Sequence, residues 1–126
     1  MIKENFRLRE KSYSCYFELT LDLIGGKWKP VILYHIGQND VLRYAQIKKC
    51  IPKITERMLS KQLKELESDG IVNRKVYPVI PPKVEYRLTE KGKALIPLLY
   101  QLRDWGEVYF NDNIDMFDHK ELEQEN

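Results

Sequence analysis

Residues 55–70 read TERMLSKQLKELESDG, and residues 71–89, which follow directly, read IVNRKVYPVIPPKVEYRLT. In the first stretch Leu59, Leu63 and Leu66 recur at i, i+4 and i+7 with Met58 beside them, so one stripe of a helix can be buried. Thr55 is suited to accept from the free N–H groups at its start, and Gly70 to take the left-handed conformation that closes its end. The other faces carry Thr55, Glu56, Arg57, Ser60, Lys61, Gln62 and Lys64. In the second stretch apolar and charged residues alternate in two runs, Ile71 to Tyr77 and Lys83 to Leu88, separated by Pro78, Pro81 and Pro82. That alternation predicts a hairpin with a stiff loop. A capped helix followed by a basic hairpin reads as a winged helix. A helix with one apolar face and one short-polar, basic face fits the major groove of B-DNA, and the hairpin beside it can reach the backbone or the minor groove.

Upstream, an apolar segment from Tyr16 to Ile24 stops at Gly25-Gly26, which predicts a short helix with a glycine end. Lys27-Trp28-Lys29-Pro30 opens a second helix, with Pro30 in its first turn and Trp28, Ile32, Leu33 and Ile36 as the buried stripe, ending over Gly37 to Asp40. Val41-Leu42-Arg43 suits a short strand and Tyr44 to Cys50 a small helix. Pro52 enforces a corner before the helix that begins at Thr55, which makes a helix-turn-helix with the second helix as the reader. The first residues, punctuated by Phe6, Leu8 and Tyr13, read as a polar arm. Thr89 is the expected cap of a long terminal helix bearing Leu95, Leu98, Leu99, Leu102, Trp105 and Tyr109. That stripe exceeds what a small core needs, so part of it, Leu98, Leu102, Trp105 and Tyr109, is expected to pair with the same helix of a second copy.

With 126 residues the chain suits one domain, a core over about residues 13–110 with an acidic tail at 111–126 whose last ten residues are expected to fray. The fold class expected is α+β: a mostly helical winged helix-turn-helix with a small β-hairpin wing and terminal dimerisation helices. The net charge of +2 conceals a polarity: residues 41–93 hold 13 Lys/Arg against 6 Asp/Glu, and residues 94–126 hold 2 against 8. A basic middle supplies the phosphate attraction on which nucleic-acid binding depends. No apolar run approaches the roughly 18 residues that span a bilayer, and the N-terminus lacks the features of a secretory signal, so cytoplasmic residence without membrane association is expected. An enzyme is not expected: there is no phosphate-cradling glycine loop, no metal-ligand spacing and no nucleophile with an evident base. His35 falls inside a helix and His119 in the tail. Neither a catalytic residue, a metal nor a cofactor is called for. The alternative function is a winged helix that docks protein without binding DNA, which needs no basic excess.

The runs LDLIGGKWKPVIL (Leu21 to Leu33) and ITERMLSKQLKELESDGIVNRKVYPVIPPKVEYRLTEKG (Ile54 to Gly92) resemble the HxlR-type transcription regulators, within the wider MarR-like winged-helix group. The resemblance spans roughly residues 13–110. It rests on Gly25-Gly26-Lys27-Trp28, the leucine pattern with Asp69-Gly70, and Pro81 to Thr89 with Val84-Glu85-Tyr86. It implies a homodimer joined through terminal helices, binding a double-stranded operator with two reading helices and two wings. It puts the reading helix on Thr55 to Ser68, with Thr55, Glu56, Arg57, Ser60, Lys61 and Lys64 as candidate DNA contacts. The wing falls on Arg74 to Arg87, with Arg74, Lys75 and Lys83 on the backbone. Arg57 or Lys61 suits guanine O6/N7, while Thr55 and Ser60 suit phosphates. Many members carry a Cys followed by Pro at the start of the first helix, several as a redox or electrophile sensor. Cys15 takes that position here, with Tyr16 in place of the Pro, and a helix N-terminus with Arg9 and Lys11 close in sequence favours the reactive thiolate. A small-molecule effector between the terminal helices is the other regulatory expectation. Cys50 has no motif support, and two cysteines in a cytosolic chain argue against a structural disulfide.

Overall fold

The computed structural model describes residues 5–114. The elements run β1 (Phe6–Leu8), β2 (Lys11–Tyr13), α1 (Tyr16–Ile24), α2 (Lys29–Asn39), β3 (Leu42–Arg43), α3 (Tyr44–Cys50), α4 (Glu56–Ser68), β4 (Val72–Tyr77), β5 (Lys83–Leu88), α5 (Glu90–Lys93) and α6 (Ile96–Asp112). The fold class is the expected one, a helical winged helix-turn-helix with a small antiparallel sheet. His119 and the last ten residues lie outside the described residues, as does the tail beyond residue 114.

The described residues divide into two compact units, one up to residue 96 and one from residue 97. In the first, the core draws one stripe from each element: Ile32, Leu33 and Ile36 of α2, Ile47 of α3, and Leu59, Leu63 and Leu66 of α4, all essentially excluded from solvent. The sheet, in the order β3-β5-β4, adds Leu42, Val72, Tyr86 and Leu88. Its register pairs Val72 with Leu88 and Tyr77 with Lys83 along the wing, and Leu42 with Tyr86 on the other side of β5.

Both predicted ends of α4 are present. Thr55 Oγ1 accepts from Met58 N at 3.1 Å. At the far end Gly70 takes φ +73°, Ile71 N bonds Leu66 O and Gly70 N bonds Glu67 O, each at 3.0 Å, which together satisfy two orphan carbonyls. Thr89 then fastens this turn: its hydroxyl lies 2.6 Å from Gly70 O and accepts from Gly92 N at 3.2 Å. Gly92 is required by the close approach, since a Cβ there would stand 2.4 Å from Ile71 O.

Three local expectations are corrected. The N-terminal arm is a β-hairpin, pairing Phe6 with Tyr13 and Leu8 with Lys11, and its turn runs through Arg9 at φ +58°. An Arg-Glu turn lacks the Gly, Asn, Asp or Pro that marks a hairpin in sequence. Stacking supplies the order instead, with the Phe6 ring 5.7 Å from Tyr13 and 4.6 Å from Tyr16. Second, Trp28 is the half-buried N-cap of α2 and not part of its buried stripe; Lys29 takes the buried place, paired with Glu65 of α4 at 2.8 Å. Third, Thr89 caps the short α5, and the long helix starts anew at Ile96. A continuous helix would set the Pro97 ring against the carbonyl of Lys93 and remove its hydrogen bond, whereas at the second position of α6 the missing N–H costs nothing.

The second unit holds α6 from Pro97 onward. Its Leu98, Leu102, Trp105, Val108 and Tyr109 are 39–68% exposed, and Trp105 stacks on Tyr109 at 5.3 Å.

Candidate nucleic-acid interface

The helix-turn-helix is built by α3, the turn around Pro52, and α4. Its lock is a hydroxyl group: Tyr44 of α3 donates to Glu56 O at 2.9 Å and lies 3.1 Å from Ser60 Oγ. With its one proton given to the carbonyl, Tyr44 must accept from Ser60. Sequence reading missed Tyr44, because nothing local to Tyr44 announces a partner sixteen residues away.

Burial of Leu59, Leu63 and Leu66 turns the opposite face of α4 outward, and Thr55, Glu56, Arg57, Ser60, Lys61 and Lys64 are all exposed. Arg57, Lys61 and Lys64 repeat at four- and three-residue steps and so share one face. They form no ion pair or hydrogen bond among the described residues, and neither does Arg74 of β4. The two hydroxyl groups differ. Thr55 Oγ1 accepts in its cap and keeps its proton to donate to a phosphate, while the Ser60 proton is committed to Tyr44. Glu56 offers acceptors alone, which suits a cytosine amino group and opposes a phosphate.

Arg74 is brought to α4 by the fold. Ser60, Lys64, Glu67, Arg74 and Tyr86 line an open depression of about 300 Å³ between α4 and the wing. Further out, Glu85 organises the wing: it accepts from Tyr77 Oη at 2.8 Å and Arg87 at 3.2 Å, and pairs with Lys83 at 3.5 Å. Tyr77's hydrogen bond, then the neighbouring cations, hold its carboxyl below the usual carboxylate range despite an opposing effect of burial. Lys75 and Lys83 sit over the Tyr77 ring at 4.9 and 4.8 Å. The three wing residues predicted from sequence therefore differ: Arg74 and Lys75 are exposed, whereas Lys83 is half-buried and already paired.

At the other end of α4, Glu65 and Asp69 have cationic partners. Lys29 pairs with Glu65, Arg9 with Asp69, and Lys11 with Asp22, around an open cavity of about 650 Å³ lined by the N-terminal hairpin, α1, the start of α2 and the end of α4. Cys15 is the exposed N-cap of α1 in extended conformation and caps no backbone group. The cations expected to favour its thiolate, Arg9 and Lys11, are engaged with these carboxylates. Cys50, at the end of α3, is exposed too. Among the described residues no group of three or more metal-ligating side chains converges, and no helix is long and apolar enough to cross a membrane.

The sequence model of one family, the HxlR-like helix-turn-helix, matches residues 23–114. The HTH-type transcriptional regulator YdeP of Bacillus subtilis (strain 168) is 52% identical over 101 residues, covering 80% of this chain and 77% of that protein. Among solved structures, the redox regulator HypR in its oxidized form is similar with 51% identity and a TM-score of 0.71, over 75% of this chain and 96% of that one. HypR in its reduced form has 47% identity and a TM-score of 0.73, over 82% and 100%.

Proposed function

The chain belongs to the HxlR-like helix-turn-helix family and is a DNA-binding transcriptional regulator, and from that premise we propose that it reads a pseudo-palindromic operator as a homodimer. The observation that carries this reading is the set of four unpaired cations, Arg57, Lys61, Lys64 and Arg74, on one continuous side of α4 and the wing. Arg57 and Lys61 reach guanine edges, Thr55 donates to a phosphate, Glu56 faces a cytosine amino group, and Lys64, Arg74, Lys75 and Lys83 hold the backbone. Ser60 acts on DNA only through Tyr44, by fixing α4 against α3. Leu98, Leu102, Trp105 and Tyr109 of α6 form the pairing surface, and the two reading helices of the dimer meet half-sites about 34 Å apart, one turn of DNA. The whole chain works as one winged helix-turn-helix domain in the cytoplasm, with no cofactor and no catalytic step.

Regulation is assigned to Cys15. It is exposed at a helix N-terminus, where a thiol is open to oxidants or electrophiles, and the similarity to a redox regulator supports that role. The test is selection of genomic fragments by the purified protein near physiological salt, with and without diamide. Enrichment of one pseudo-palindromic site is expected, with its occupancy changed by diamide in the native protein and unchanged in Cys15→Ala. Arg57→Ala with Lys61→Ala should lower operator affinity by roughly thirtyfold or more, about 1–3 kcal/mol for each of the two base contacts in a half-site, without changing thermal stability. Unaltered affinity in that variant removes the reading helix from the proposal, and absence of any enriched site favours the protein-docking winged helix.

A further inference from the structure

The tip of the wing carries no charge. Between Tyr77 and Lys83 it reads Pro78-Val79-Ile80-Pro81-Pro82, and Ile80 is 100% exposed with Val79 at 50%. Three of these five residues are prolines and lack a backbone N–H, so the tip is poor in donors for a phosphate oxygen. It is also stiff: the prolines fix φ, Val79 N closes on Tyr77 O at 2.8 Å, and Tyr77 beneath it is anchored through Glu85. The cations stand at its base. Lys75 on β4 and Lys83 on β5 flank Tyr77 from the two strands, and Arg74 lies one residue further back. A rigid apolar point with two lysines at its base, one from each strand and both on the face that carries the Tyr77 ring, matches a groove floor of stacked bases bordered by phosphates.

We infer that Ile80, supported by Val79, enters the minor groove beside the operator half-site and wedges partly between two stacked base pairs, while Lys75, joined by Lys83 as it exchanges Glu85 for DNA, reaches the phosphates that border it. This rests on the DNA-binding reading above and adds to it a source of specificity outside α4. Apolar wedges of this kind unstack one base step and bend the duplex, and a pyrimidine–purine step such as TA or CA yields most readily. The wing then selects a deformable step at a fixed distance from the bases read by α4, without a hydrogen bond to either base.

The experiment compares the native protein with Ile80→Ala and with Lys75→Ala/Lys83→Ala on operator duplexes. The readouts are affinity across a salt series, bend angle from end-to-end energy transfer, and fluorescence of 2-aminopurine placed at each flanking step. Ile80 is fully exposed, so its truncation leaves the thermal unfolding and the sedimentation of the free protein unchanged. Ile80→Ala is expected to lower affinity about tenfold at every salt concentration, to straighten the DNA, and to abolish the 2-aminopurine signal at one step in each flank. Replacing that step by a stiff AA step should reproduce the loss for the native protein and add nothing for Ile80→Ala. The lysine double variant should instead flatten the salt dependence, by a slope of roughly 0.9 for each phosphate that is no longer neutralised. If Ile80→Ala binds and bends as the native protein does, the wedge is overturned while operator binding stands. If Ile80→Ala changes self-association instead, the tip is a protein contact and the wedge is likewise overturned. A native protein that binds no duplex removes both readings together.

Discussion

Helices α4 and α6 carry leucines at the same three- and four-residue steps, yet, the buried Leu99 of α6 apart, they treat them in opposite ways. In α4, Leu59, Leu63 and Leu66 are 0–2% exposed; in α6, Leu98, Leu102, Trp105 and Tyr109 are 39–68% exposed. The polar faces differ in the same sense. That of α4 has three cations left without partners, whereas α6 crosses its own Arg103 with Asp104 at 3.0 Å. An apolar stripe already buried leaves the polar face of a helix as its working surface, and an apolar stripe left in water is itself the working surface. The first arrangement suits a helix that reads a polyanion, the second a helix that meets another copy of itself.

The largest effect that distinguishes the two comes from truncating the same residue type in each. Leu63→Ala should cost about 2–5 kcal/mol of unfolding free energy, because the methyl groups lose a filled site and leave a cavity. That is a large fraction of the roughly 5–15 kcal/mol available to a domain. Leu102→Ala, measured in protein dilute enough to be monomeric, should stay within about 0.5 kcal/mol. Denaturant titration of the two variants measures both, and equal losses would break the distinction between the helices.

Next in size is the association itself. Leu102→Asp with Trp105→Asp places two charges in the exposed stripe and should convert a sedimenting dimer into a folded monomer. Operator affinity should drop by about a hundredfold or more, because two half-sites are no longer read together. An unchanged sedimentation coefficient would move the pairing surface elsewhere, and the apolar residues of α1, where Tyr16, Phe17 and Leu21 are 52–71% exposed, would be the place to look.

What was legible in the sequence follows a physical line. Elements whose signals are local and repeated, such as the capped α4, the α2 leucine-isoleucine stripe and the proline-separated wing, could be read, because periodicity and end signals sit in the same fifteen residues. The β1–β2 hairpin could not, since its turn uses Arg9-Glu10 and its order comes from Phe6 stacking on Tyr13 and Tyr16. The break before α6 was available in principle: Pro97 forbids a helix running unbroken from Thr89. At the interface the residue types and their exposure were legible, but their state of engagement was not. Ser60 and Thr55 look alike in sequence, and a tyrosine sixteen residues away is what commits one proton and leaves the other. Lys29 likewise reads as a surface lysine until Glu65 is brought to it.

The smallest effect sharpens the comparison at the other end of α4, where Glu65 and Asp69 are held by Lys29 and Arg9, and where Lys11 and Tyr13 hold Asp22 at the same cavity. Tyr13's hydroxyl, helped by Lys11, keeps the Asp22 carboxyl below the usual carboxylate range against a counteracting burial effect. The same hydrogen bond, with burial and the Asp22 charge, pushes the Tyr13 hydroxyl up to about 12. The two shifts act on opposite sides of neutrality. Asp22 is depressed, so its contribution is present above its unfolded value of about 3.9 and is lost as pH falls through the folded one; Tyr13 is raised, so its contribution is present below about 10 and is lost as pH rises through about 12. Tyr13→Phe should therefore be less stable than the native protein by a constant amount between about pH 5 and 9. That difference should shrink below about pH 4 and again above about pH 10, as read from urea titrations at each pH. Operator affinity at neutral pH should hardly change, because the reading surface proposed above lies at the opposite end of α4. A Tyr13→Phe protein with native stability but weakened operator binding would reverse that division, and would make the N-terminal hairpin part of the reading surface.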